Sequence, residues 1–148
     1  TFEVPRDSDV TVPIGKAKVV KEGSDVSIVA FSIMVGKALE ASDLLSNEGI
    51  EAEVIDLRTI RPLDVETIIT SVKKTNRIVT VEQGWPTCGI GAEISSLVGE
   101  EAFDFLDAPV KRVAGVDVPM PYAANLEKLA LPQTSDIVSA AKAVCYRG

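Results

Sequence analysis

Residues Arg77 to Ile94, R-I-V-T-V-E-Q-G-W-P-T-C-G-I-G-A-E-I, restrict the fold of this chain more than any other stretch. Ile78, Val79 and Val81 form a short β-branched run, the pattern of a strand covered on both faces. Gly84, Pro86, Gly89 and Gly91 crowd the residues after Glu82, so the strand runs into a turn-rich loop. Beyond Gly91, Ile94, Leu97 and Val98 recur at helical spacing. Strand, glycine loop and helix in that order belong to α/β sheets, which place their sites at such junctions. The loop itself does not read as a nucleotide cradle. Gly89-Ile90-Gly91-Ala92-Glu93-Ile94 has Ile where a dinucleotide fingerprint needs its third glycine, and no Walker lysine follows. Glu93 already places negative charge in the first helical turn. A tight turn that needs glycine for close packing is the better reading.

The same alternation extends along the chain. Lys16 to Val20 is a short edge strand after Pro5, Pro13 and Gly15, and residues 1–15 read as a connecting arm from a preceding domain, with 16–148 as the domain proper. Val26 to Phe31 gives a buried strand, and Ser32 stands where an N-cap belongs. Val35, Ala38, Leu39, Ser42 and Leu45 share a helical face that Asn47-Glu48-Gly49 closes. Ala52 to Leu57 is the next strand. After the loop Arg58 to Leu63, Asp64 caps a helix carrying Val65, Ile68, Ile69 and Val72, with Lys73 and Lys74 in its last turn. Val110 to Ala114 supplies a further strand, Gly115 to Tyr122 is irregular by its prolines, and Thr134 or Ser135 caps a last helix. Four parallel strands with one antiparallel edge strand, between helices on both faces, make a three-layer α/β/α fold.

Chemistry is scarce in this frame. The 148 residues contain no His, which excludes Ser–His and Cys–His nucleophilic sites and a His general base within the chain. Two cysteines, Cys88 and Cys145, make no disulfide framework or zinc pattern and read as packing residues. A net charge of −7 argues against nucleic acid or an anionic membrane and suits a basic protein partner. No apolar run is long enough for a bilayer span, and the opening Thr1-Phe2-Glu3 reads as the start of a piece of a longer polypeptide. Glu82, at a strand's carboxyl end, reads as a structural or interface group, since it lacks a paired acid or base. Arg58 and Arg61 flank a strand-end loop, where a surface ion pair is favoured over anion binding. Of seven aromatic residues, Trp85, Phe103, Phe105 and Tyr122 lie in loops. Either these loops contact another protein or they fold back onto the domain's own sheet.

Longer motifs carry a resemblance. Pro13-Ile14-Gly15-Lys16-Ala17, Val54-Ile55-Asp56-Leu57-Arg58-Thr59-Ile60-Arg61-Pro62-Leu63-Asp64, Val81-Glu82-Gln83-Gly84-Trp85-Pro86, Gly91-Ala92-Glu93-Ile94, Leu106-Asp107-Ala108-Pro109 and Asp117-Val118-Pro119-Met120-Pro121-Tyr122-Ala123 cover nearly the whole length. From about Pro13 to Tyr146 the chain resembles the C-terminal domain of transketolase-like thiamine diphosphate enzymes. Within them it is most similar to the beta-subunit family of the pyruvate dehydrogenase decarboxylating component. The resemblance implies an alpha2beta2 enzyme that decarboxylates pyruvate and acetylates lipoyl groups. It implies thiamine diphosphate and magnesium held outside this chain, between the alpha subunit and the beta subunit's N-terminal domain. Implied partners are the alpha subunit, a second beta subunit and the basic subunit-binding domain of dihydrolipoyl acetyltransferase. Asp107 matches an acidic residue of that docking face, with Arg147 beside it at a C-terminal end that departs from the apolar ending common in the family. Glu82, Trp85, Pro86, Arg61, Phe105 and Tyr122 are then expected at subunit interfaces. The compartment would be the mitochondrial matrix, or the cytoplasm of a bacterium. Two alternatives stand: the same domain of another 2-oxo acid or acetoin dehydrogenase, and a flavodoxin-like nucleotide-binding regulatory domain.

Overall fold

The computed structural model describes residues 11–147. Five strands form one sheet in the order β1-β3-β2-β4-β5. They are β1 (Lys18–Lys21), β2 (Val26–Ala30), β3 (Ala52–Asp56), β4 (Ile78–Val81) and β5 (Lys111–Val113). β2 pairs in parallel with β3 and with β4, and β4 with β5, while β1 runs antiparallel along β3 with a register shift between Val19 and Lys21. The expected four parallel strands and antiparallel edge are all present. Leaving β1 aside, the order is that of doubly wound flavodoxin-like sheets, with its switch point between β2 and β4.

Helices cover both faces because the central strands are apolar on both. β2 and β4 are buried at every position. Ile28, Val54, Val79 and Val81 pack against α1 (Met34–Ser46) and α5 (Thr134–Val144). Val29, Ile55 and Ile78 face the other way, onto α2 (Val65–Thr75) and α3 (Ile90–Glu101). Each of these strand residues is at most 1% exposed, and burying a side chain of this kind contributes roughly 1.5–3 kcal/mol.

Asp64 caps α2 as expected, its carboxylate accepting from the Thr67 amide, and α1 ends at Asn47 with Gly49 at φ +77°. Ser32 is not the cap of α1. It lies at φ +57°, a left-handed turn that swings the chain out of β2, and the helix starts only after Ile33. Nor does Thr134 or Ser135 cap α5. Gln133 does, in a reciprocal capping box whose Asp136 carboxylate accepts from the Gln133 amide at 2.8 Å. A seven-residue helix, α4 (Ala124–Ala130), and a 3-10 turn at Phe103–Phe105 had no counterpart in the sequence reading. Of the expected connecting arm, residues 1–10 lie outside the described residues. Residues 11–17 carry no strand or helix, and the Gly15 amide donates to the Thr59 hydroxyl at 3.0 Å.

Candidate functional site

The parallel strands give the sheet a carboxyl end and an amino end, and the residues singled out above divide between them. At the carboxyl end, Glu82 follows β4 and is only 4% exposed. Its two carboxylate oxygens accept from the Ile90 amide at 3.0 Å and the Gly91 amide at 2.9 Å. The first turn of α3, which has no side-chain cap at Gly89, is thereby closed by a carboxylate from the preceding strand. The glycines make this possible. A Cβ on Gly89 would sit 2.5 Å from Glu82 Oε1, and one on Gly91 2.6 Å from the Thr80 hydroxyl. Where a phosphate would bind, the chain's own carboxylate already takes the donors, so the residues present do not fit an anionic cofactor at this helix.

Around Glu82 the carboxyl-end loops are tied together. Gly115 donates to the Gly84 carbonyl at 2.8 Å, Arg112 to the Pro86 carbonyl at 2.9 Å, and the Trp85 indole to the Val118 carbonyl at 3.1 Å. The Trp85 ring is nevertheless 55% exposed, and Tyr122 stands fully in solvent with Ile33, Val116 and Met120 also bared. Arg58 and Arg61 are exposed, and neither makes an ion pair among the described residues. Asp64 is buried here. Burial pushes its carboxyl up, but hydrogen bonds from the Ala17 amide and from Thr67, with the charge of Lys16, outweigh that and hold it below the usual carboxylate range.

The amino end gathers charge instead. Arg77, just before β4, donates to the Asp107 carboxylate at 2.9 Å and to the Asp25 carbonyl at 3.3 Å. The Tyr146 hydroxyl donates to the Asp107 carbonyl at 2.9 Å, which brings the last residues, including exposed Arg147, beside Asp107. Asp107 keeps about half its side-chain surface, 53%, in solvent. Phe105 belongs to this end too, apart from Trp85 and Tyr122: its carbonyl accepts from Asn76, and the Lys73 ammonium lies 5.2 Å from its ring centre. None of the loop aromatics folds back into the core. Burial pushes the Cys145 thiol up against the opposing charge of Arg77, which suits packing rather than reactivity.

One cluster at the amino end escaped sequence reasoning. Glu53 of β3 is 1% exposed. It accepts from the Ser71 hydroxyl at 2.5 Å and from Lys74, which also reaches Glu22 at 2.8 Å. Ser27 joins Ser71 and Thr75 at 2.5 and 2.6 Å. Hydrogen bonds to Glu22 and Glu53 hold the Lys74 ammonium above its ordinary value and pull Glu22 down. No group of three potential metal-ligating side chains occurs among the described residues, and no helix there is long and apolar enough to cross a membrane.

These features define a three-layer α/β domain of flavodoxin-like strand order, with an added edge strand and its strand-end loops turned into surfaces. Residues 15–137 match the family described as transketolase, C-terminal domain, and the chain belongs to that family. It is 64% identical over 141 residues to the mitochondrial pyruvate dehydrogenase E1 component subunit beta-2 of Oryza sativa subsp. japonica, covering 95% of this chain and 38% of the relative. It is 58% identical over 146 residues to the E1 subunit beta of Rickettsia felis, covering 99% of this chain and 44% of that protein. A solved structure described as a split-gene transketolase, inactive beta4 tetramer, superimposes with a TM-score of 0.80 at 36% identity, over 97% of this chain and 46% of that one. The chain therefore spans less than half the length of these proteins, of which the two pyruvate dehydrogenase subunits are enzyme components, one mitochondrial and one from Rickettsia felis.

Proposed function

We propose that this chain is the assembly and docking domain of a pyruvate dehydrogenase decarboxylating component, within its beta subunit. Decarboxylation takes place elsewhere in the holoenzyme, on thiamine diphosphate and magnesium bound outside these residues. The carboxyl-end loops meet neighbouring parts of the alpha2beta2 enzyme, with Trp85, Pro86, Arg61 and Tyr122 as contacts and Glu82 as the group that shapes them. The amino end receives the basic subunit-binding domain of dihydrolipoyl acetyltransferase at Asp107, with Arg147 and Phe105 on the rim. The observation that carries this reading is the 64% identity to a pyruvate dehydrogenase beta subunit, extending through both ends of the sheet. A nucleotide-binding regulatory role is disfavoured by the Glu82 carboxylate, which holds the helix amides a phosphate would need. Another 2-oxo acid or acetoin dehydrogenase is disfavoured by the same relatives.

Titration calorimetry of the subunit-binding domain against the parent chain and Asp107→Ala tests the docking assignment. Truncating a partly exposed charge at an interface rim is expected to weaken binding on the order of tenfold, about 1.4 kcal/mol, and to flatten its salt dependence. Equal affinities at low and at physiological salt would remove Asp107 from the docking face. A second assay addresses the division of labour. The chain mixed with thiamine diphosphate, magnesium and pyruvate should release no carbon dioxide, and turnover in that mixture would move the chemistry into this domain.

A further inference from the structure

A groove of about 610 Å³ opens at the carboxyl end between the first turns of α2 and α3. Its floor is apolar, from Ile60, Leu63, Ile90 and Leu97, and Arg61 and Glu93 stand on it as opposite charges. An apolar cleft of this kind in water calls for a covering surface. We propose that the groove is the seam against the preceding half of the same polypeptide, and that it is not a contact between subunits. The inference rests on the reading of this chain as part of a longer beta subunit, and it names what covers one surface of it.

Three observations converge. First, the chain enters the domain at this spot. β1 runs antiparallel to β3, so its first residues lie at the carboxyl end. There Gly15 is fixed by the Thr59 hydroxyl at 3.0 Å, and Ala17 by the Asp64 carboxylate at 2.9 Å. Those anchors are the immediate neighbours of Ile60 and Leu63 on the groove floor. Second, the family is a C-terminal domain, and the chain spans only 38–44% of the rice and Rickettsia relatives, so most of such a polypeptide precedes it. A preceding half delivered beside the groove is held there at high effective concentration, whereas another subunit must be captured from solution. Third, Arg61 has no ion-pair partner among the described residues, while Glu93 stands apart across the groove. A covering surface with one acidic and one basic group of its own would satisfy both and fix its register.

Photo-crosslinking in the assembled holoenzyme separates the possibilities. The beta subunit would carry Ile60→p-benzoylphenylalanine, or the same probe at Leu97 should the Ile60 variant fail to assemble. Leu44, exposed on α1, gives the background. Enzyme is prepared from equal parts of unlabelled and 15N-labelled beta subunit. The expected adduct joins the probe to a peptide upstream of this domain with both halves carrying the same isotope. Adducts on the alpha subunit, or mixed-isotope adducts between beta subunits, would overturn the seam while leaving the assembly role intact. Absence of adducts above the Leu44 background would also overturn it, since the groove would then face solvent. A holoenzyme that never forms from this beta subunit and its alpha partner would instead sink the parent reading.

Discussion

The two ends of the sheet solve opposite problems. The amino end buries a carboxylate, Glu53, and surrounds it with Ser71 and Lys74, while Arg77 joins Asp107 to Asp25. Its polar groups are largely satisfied within the chain. The carboxyl end also buries a carboxylate, Glu82, but spends it on backbone amides, and the loops so fixed leave Trp85, Ile33 and Tyr122 bare. One end is held mainly by its own side chains, with Asp107 left half in solvent, and the other presents fixed loops with bare apolar side chains. The first can offer a partner charge at its rim, and the second offers apolar area.

The sharpest way to break that contrast is to unbalance the amino end. Lys74→Met leaves buried Glu53 beside Ser71 with no cation, and because the Lys74 side chain is itself 44% exposed the expected cost is roughly 2–3 kcal/mol, below that of a fully buried pair. Urea unfolding at neutral pH measures it, and Glu53→Gln in the same background should recover part of the loss. A destabilisation within 0.5 kcal/mol, roughly the scatter of surface substitutions, would show the amino end to be decoration. The pH dependence has a definite sign. Because the folded state holds Lys74 above its ordinary 10.5, its contribution is complete below pH 10.5 and disappears as pH rises through the higher folded value. The gap between parent and Lys74→Met should narrow in that alkaline range, and again in acid as Glu22, held low by the same ammonium, takes up its proton.

At the other end, Glu82→Ala frees two amides in the first turn of α3 and is expected to cost about 2 kcal/mol, in the range of a strong cap. Glu82→Gln keeps one acceptor and should lose roughly half as much. Hydrogen exchange at Ile90 and Gly91 should rise in both variants, and unchanged protection there would mean that the loop holds itself. Trp85→Ala sharpens the comparison from the surface side. With the ring more than half exposed, the domain should lose only about 1 kcal/mol. Assembly with the alpha subunit, followed by analytical ultracentrifugation, should suffer far more than stability does.

How much of this the sequence disclosed depended on distance along the chain. β-Branched runs and apolar spacing place all five strands and four of the five helices, since those signals are local. Glu82 was visible as a strand-end acid, but its partners lie eight and nine residues ahead across a loop. The glycines at 89 and 91, each leaving room for a carboxylate rather than a Cβ, were the clue that could have found it. Glu53 offered no such clue. In A-E-V-I-D it looks like the polar partner of an alternating strand, and its companions Ser71 and Lys74 sit on a helix that only the fold brings near. Ser32 misled because a good capping residue also tolerates the turn the chain needed there. α4 is too short, between prolines, for periodicity to reveal.

Asp64 gives the smallest effect and the cleanest contrast with Lys74, because it stands at the opposite end and titrates at the opposite extreme. Its carboxylate accepts from Ala17 and Thr67, so it pins both the entering chain and the start of α2. Its two oxygens each accept one amide, and Asn has only one such oxygen, so Asp64→Asn should keep the cap on Thr67, lose the bond from Ala17 and cost roughly 0.5–1 kcal/mol at pH 7. The folded state holds Asp64 below its ordinary 3.8, so this contribution is complete above pH 3.8 and is lost as pH falls through the lower folded value. Parent and Asp64→Asn should therefore differ at neutral pH, converge in strong acid and keep their difference in alkali, where the Lys74→Met gap closes. Loss of the Asp64→Asn gap in the alkaline range, together with that of Lys74→Met, would show that the two edges of the sheet are not separately held.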